Sequence, residues 1–184
     1  MTRRTRALTS ALANPLALAV ATASVLLMSS TAHAVSTDVV ISEVYGGGGN
    51  TGATYTNDFV ELRNAGPTAV DVTGWSIQYA AATGTTWSNK TTLTGSIAPG
   101  SSYLIKLASG GSTGAALPTA DVTGTTNLSA TAGKVALVTN DTALTCGSNC
   151  DRATGVKDFV EYGSANDYEG TPAPAGSNTK RSRG

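Results

Sequence analysis

The chain has 184 residues, with twelve Lys and Arg balanced by twelve Asp and Glu, one histidine and two cysteines. That length suits a single domain, and so few His and Cys exclude a tetrahedral zinc site. Counted without the basic residues of its two ends, the body is mildly acidic, which argues against a domain that grips nucleic acid by neutralising phosphates.

The N-terminus reads as an export signal. Arg3, Arg4 and Arg6 precede an apolar run over residues 16–28, and Thr31-Ala32-His33-Ala34 supplies the small residues of a cleavage site after Ala34. The run is shorter than the roughly 20 apolar residues of a spanning helix. The Arg3-Arg4 pair hints at twin-arginine export, but Arg6 and Ala7 stand where that signal wants bulky apolar residues, so the general secretory route is expected. Cleavage leaves 150 residues, nine basic against twelve acidic groups, and no histidine. Setting aside Lys180, Arg181 and Arg183 as well leaves the body at a net −6. No second apolar run of membrane length follows and no cell-wall sorting pattern is present, so a secreted, extracellular protein without a transmembrane segment is expected.

The mature part is rich in Gly, Thr, Ser, Ala and Val and lacks sustained apolar spacing at i, i+3, i+4. Short β-type runs alternate with Gly, Pro, Asn and Asp clusters, the pattern of an all-β sandwich. Residues 39–45 form the first predicted strand, ended by the glycines at 46–49. Residues 58–63 alternate, with Phe59, Glu61 and Arg63 on one face and Val60 and Leu62 on the other. Asn64-Ala65-Gly66-Pro67 is a turn, 70–72 a short strand, and 74–79 a strand carrying Trp75, Ile77 and Tyr79 on one face. A strand start at 85–87, a run at 93–97 and a clear strand at 102–107 follow. Residues 121–128 read either as a strand or as a loop crossing the sandwich. Strands at 134–138 and 156–162 close the series. The string Asp-Phe-Val-Glu occurs at 58–61 and again at 158–161, which reads as two strands of like alternation rather than a repeat array. The expected organisation is a signal peptide at 1–34, a sandwich domain at 35–165 and a flexible tail at 166–184. Its predicted core includes Val60, Leu62, Trp75, Ile77, Leu104, Val135, Leu137 and Val160.

Four of these blocks, in this order, resemble the lamin tail domains of bacterial secreted proteins. They are residues 40–47 (VISEVYGG), 57–64 (NDFVELRN), 71–79 (DVTGWSIQY) and 97–103 (IAPGSSY), and the resemblance spans 39 to about 162. It implies an immunoglobulin-like β-sandwich of short antiparallel strands. It also implies a module that is not itself an enzyme, often found beside extracellular nucleases or phosphatases of the endonuclease/exonuclease/phosphatase type. No catalytic residues carry over. Relatives usually continue past the Pro-Ala-Pro segment into an acidic, Asn-rich stretch, whereas this chain stops at Ser182-Arg183-Gly184. That departure fits either a stand-alone module or a shortened product, and a missing terminal strand would leave a sheet edge open.

Among individual residues, Trp75 beside Gly74 suits a core position between two sheets. Trp87 and Tyr45 read either as core or as exposed platforms for sugar rings or bases. Glu43, Asp58 and Glu61 are the notable carboxylates. They read first as water-facing groups or partners of Arg63, then as candidate Ca²⁺ ligands, and last as an acid–base pair. No Asp-x-Asp-x-Asp loop supports the metal reading. Cys146 and Cys150 flank the turn formers Gly147, Ser148 and Asn149, so a local disulfide is expected in an oxidising compartment. The glycines at 46–49 lack the Gly-Lys-Ser/Thr of a phosphate loop. Without a mature histidine no Ser-His-Asp set forms, and no buried-lysine setting is visible for a Ser–Lys pair.

The function expected is a non-catalytic binding or scaffold module, with no cofactor. The partner would be a surface polymer, DNA or another protein, and the basic tail would offer only weak, salt-sensitive contact with an anionic polymer. The alternative is an accessory or truncated remnant of a secreted nuclease or phosphatase.

Overall fold

The computed structural model describes residues 36–167. The export signal expected at 1–34 and the tail from 168 onward lie outside them. Among the described residues, alternating apolar and polar positions, cut by Gly, Pro and Asn turns, produce ten strands. They are β1 (Val39–Tyr45), β2 (Phe59–Asn64), β3 (Val70–Asp71), β4 (Ser76–Ala81), β5 (Asn89–Thr92), β6 (Ser96–Ile97), β7 (Ser102–Lys106), β8 (Val122–Thr123), β9 (Gly133–Val138) and β10 (Val156–Tyr162). The helical content of the described residues is one 3₁₀ turn, Cys150–Arg152.

Two four-stranded sheets, ordered β1-β2-β7-β8 and β10-β9-β4-β5, form the layers, with β3 and β6 as a separate pair. Pairing is antiparallel except between β7 and β8. The fold is thus the all-β sandwich that the alternation predicts, of the immunoglobulin-like kind that the resemblance implies. Val60, Leu62 and Ile105 of the first sheet share one buried cluster with Ile77, Val135, Leu137 and Val160 of the second. The ambiguous 121–128 region is both things in turn. It gives the two residues of β8, then runs on extended, with Gly124 N–H donating to Lys106 O and Ala108 N–H to Thr126 O, until Leu128 enters the core.

Two predicted core positions differ. Leu104 is only half-buried, because β7 turns Tyr103 and Ile105 inward and strand alternation sends Leu104 to the other face. Trp75 precedes β4 and packs half-buried against the core from its rim. The indole sealed inside is Trp87, 1% exposed, and Tyr45 is equally buried. The platform reading of these two rings is therefore overturned. Tyr45 stacks on Phe59 at 5.2 Å, and its hydroxyl accepts the N–H of Thr54 at 2.9 Å.

Trp87 is enclosed because the second sheet is covered on both faces. Ala80, Ala136, Val138 and Phe159 face away from the main core and form a second cluster with Trp87 and Cys150. The segment after β9 lies over them. Ser76 Oγ donates to Asn140 O at 2.7 Å, Gln78 Nε2 to Thr142 O at 2.8 Å, and Leu144 N–H returns to Gln78 Oε1 at 2.9 Å. Trp87 Nε1 donates to Cys146 O at 3.0 Å. A disulfide joins Cys146 to Cys150 across a Cα separation of 5.5 Å. Asn149 bends the chain between them at φ 54°, a left-handed conformation that Asn tolerates.

The twice-used string Asp-Phe-Val-Glu does parallel work in the two sheets. Val60 and Val160 enter the main core, while Phe59 and Phe159 join aromatic contacts away from it. Asp58, just before β2, and Asp158, the third residue of β10, are buried backbone clamps. Asp58 accepts the N–H of Gly48 and of Leu128, each at 2.7 Å, and Asp158 accepts the N–H of Ile41 at 2.7 Å. The Asp158 bond joins β10 to β1, edge strands of different sheets, where each has a register shift. Gly48 is required beside Asp58, since a Cβ there would sit 2.1 Å from the Asn57 carbonyl carbon.

Removing either clamp leaves buried N–H groups without an acceptor. Asp58→Ala and Asp158→Ala are each expected to lower unfolding free energy by about 1–3 kcal/mol. Urea denaturation checks this, with Arg63→Ala, at an exposed position of β2, as the near-neutral control.

Candidate functional site

The three carboxylates singled out from the sequence do not act together. Asp58 neither faces water nor pairs with Arg63. Burial pushes its carboxyl above the usual range, and the N–H groups of Leu128, Gly48 and Gly47 oppose that rise. Glu43 and Glu61 lie opposite each other in the β1–β2 register and are half-buried. Glu61 Oε1 accepts the hydroxyl of Ser42 at 2.9 Å. Among the described residues no group of three or more His, Cys, Asp or Glu is gathered closely enough to hold a metal ion.

Two other places carry more. The first is a surface groove of about 440 Å³, lined by Thr56, Asn57, Lys106, Leu117, Pro118 and Thr123 among others. Its outer wall is the connection between β7 and β8. That wall is fixed at both ends, by Thr56 N–H to Ala115 O at 2.9 Å and by Asp121 N–H to Leu104 O at 2.9 Å. Asn57 Nδ2 donates to Leu107 O at 2.9 Å, which holds the floor. The groove combines one cation, several hydroxyls and an apolar wall. No local pattern marks it, because the connection after β7 must fold back against Lys106 and against Thr56 and Asn57, which lie far earlier in the chain.

The second place is a buried polar cluster under the disulfide loop. Lys134 and Glu161 are direct partners in the β9–β10 register, on the face that carries Ala136 and Phe159. Lys134 is 0% exposed. Its Nζ donates to Gly84 O at 2.8 Å and to Asn166 Oδ1 at 3.1 Å, and lies 5.7 Å from the centroid of the Trp87 ring. Glu161 is 5% exposed. Its Oε2 accepts the N–H of Asp167 at 3.0 Å, while Oε1 is buried with no hydrogen-bond partner among the described residues. Asp167 in turn accepts the N–H groups of Asn149 at 2.7 Å and Cys150 at 2.8 Å. The chain thus stays fastened to the sandwich through Asn166 and Asp167, two residues past the boundary expected at 165.

Burial sets the electrostatics of this cluster. Desolvation pushes the Glu161 carboxyl up to about 7; the negative charges of Asp167 and Asp151 add to that, while the Asp167 N–H and Lys134 oppose it. Desolvation likewise pulls the Lys134 ammonium below its usual value, against the pull of Asp167 and Glu161. Sequence reading missed the pair because one Lys and one Glu in β-strands give no sign of burial on an outer face.

Two facing sheets with crossing connections and a strand-to-strand clamp at their edge define an immunoglobulin-like module. The family model described as Lamin Tail Domain matches residues 32–158, more than half of the chain, and the protein belongs to that family. No curated protein and no solved structure matches it.

The raised carboxyl of Glu161 makes stability depend on pH with a definite sign. Between its ordinary value of 4.5 and about 7 the folded state holds a proton that the unfolded state releases. Stability from this group is therefore full below 4.5 and is lost as pH rises through 7. The expected loss is on the order of 1–3 kcal/mol. Glu161→Gln, which keeps the shape without the charge, should flatten that part of a melting-temperature profile taken from pH 4.5 to 8.

Proposed function

We propose that this protein is a secreted, non-catalytic module that binds and positions an anionic extracellular polymer in the groove beside Lys106. The groove is the observation that carries the proposal. Lys106 supplies a positive charge, Thr56, Thr119 and Thr123 supply hydroxyls, and Leu117 and Pro118 supply an apolar wall. A pre-formed concave surface with a few placed polar groups is the usual form of a binding site. Membership of a non-catalytic family supports the reading. So does the fate of the carboxylates, since Asp58 and Asp158 accept backbone N–H groups that the fold needs. The extracellular setting is supported by the disulfide and by the export signal read from residues 1–34. No helix among the described residues is long and apolar enough to cross a membrane.

One cation on an acidic body gives weak attachment that salt screens. The test is titration of the purified protein with a polyanionic cell-wall glycan, a neutral glycan and duplex DNA at low and physiological salt. Binding should favour the polyanionic glycan, and Lys106→Ala should weaken it roughly five- to tenfold, about 1–1.4 kcal/mol. Equal affinity of the variant, or binding to none of the three, would reject the groove as the site.

A further inference from the structure

The cluster under the disulfide loop places a buried amine and a buried carboxyl group beside the carboxamide of Asn166 at the protein surface, and neither the fold nor the proposed groove needs that combination. We propose that Lys134 and Asn166 are joined by a spontaneous intramolecular amide bond, formed between Nζ of Lys134 and Cγ of Asn166 with release of ammonia.

Geometry is the main support. Lys134 Nζ is already 3.1 Å from Asn166 Oδ1, and its second hydrogen bond, to Gly84 O at 2.8 Å, fixes its direction. Asn166 is held from its own side by its N–H donating to Ala82 O at 3.1 Å. Two reactants kept in contact by a folded scaffold react as one molecule, with the orientational cost already met. An amine attacks only when it is neutral. Burial favours the neutral form of Lys134, against the nearby charges of Asp167 and Glu161, as desolvation does for nucleophilic lysines in general. Asn166 is exposed at the mouth of the cluster, which gives ammonia a way out.

Glu161 is the proton carrier. It stands directly across the β9–β10 pair from Lys134, and Oε1 is buried with no hydrogen-bond partner among the described residues. Its carboxyl titrates near neutrality, where a group can both accept and return a proton. The step balances without any co-reactant. Nζ adds to Cγ, the carboxylate takes one proton from Nζ, and the carboxylic acid returns it to Nδ2. The Cγ–Nδ2 bond then breaks and ammonia leaves. An amine and a primary amide become a secondary amide and ammonia, nothing is oxidised or reduced, and Glu161 ends as it began. The product would tie residue 166 to β9 across a separation of 32 residues, in the part of the fold where the disulfide also lies.

The test is mass spectrometry of the full chain after expression and folding. The intact mass should fall short of the encoded one by one ammonia, beyond the two hydrogens of the disulfide and any removed leader. After reduction and trypsin, residues 107–152 should appear uncut at Lys134 and joined to residues 158–180. Asn166→Ala and Lys134→Met should keep the ammonia, and Asn166→Ala, a change at an exposed position, should fold and melt several degrees lower. Glu161→Gln, folded by circular dichroism, should leave the two peptides separate. A wild-type mass with no ammonia missing would overturn the proposal. So would missing ammonia with Lys134 still cleaved, the sign of a succinimide at Asn166. Wild-type cross-linking in Glu161→Gln would remove the role given to that residue. None of these readouts involves the groove, so they stand or fall apart from polymer binding.

Discussion

A carboxylate taken out of water must find hydrogen-bond donors, and in this fold the donors are backbone N–H groups of other segments. That requirement is what closes the sandwich. Asp58 cannot be satisfied unless the glycine loop after β1 and the segment before β9 both reach it. Asp158 accepts the Ile41 N–H only when β1 comes alongside β10. Hydrophobic burial drives the two sheets together without fixing how their ends meet. The aspartates fix it, because each clamp is directional and each is lost by a small displacement.

The same logic acts in the opposite sense in the outer cluster. There the buried charges do not all find complete sets of donors and acceptors. Lys134 has two oxygen acceptors and an aromatic ring near it, and one oxygen of Glu161 has no hydrogen-bond partner among the described residues. Ionised groups in that condition are pushed toward their neutral forms. The disulfide and the backbone bonds from Asn149 and Cys150 to Asp167 keep the lid of this cluster in place.

Much of the architecture was legible in the sequence because strand alternation is local. Residues 58–63 and 156–162 show their inward and outward faces within a few positions, and Cys146 and Cys150 show their turn in the three residues between them. What was not legible depended on distant segments. Trp87 stands among Gly, Thr and Ser and reads either as core or as an exposed platform, and the segment that covers it supplies Cys146, 59 residues later. Asp58 looks like a solvent-facing charge at a strand start, and one of its two donors at 2.7 Å lies 70 residues on. Lys134 introduces a strand whose alternation suggests one wet face, yet every residue of β9 is buried. The groove is invisible for the same reason, since β7 and the connection that follows it become a concavity only when that connection folds back.

The unequal covering of the two sheets has an evolutionary consequence. In β9 both faces are packed, so a substitution at any of its six positions disturbs one cluster or the other. In β2 the alternate positions Glu61 and Arg63 are less enclosed, and in β7 Ser102 is exposed. The first sheet can therefore accept drift on its outside while the central strands β4 and β9 of the second cannot, and within the second sheet new surface chemistry is confined to edge positions such as Asn89 and Thr92 of β5.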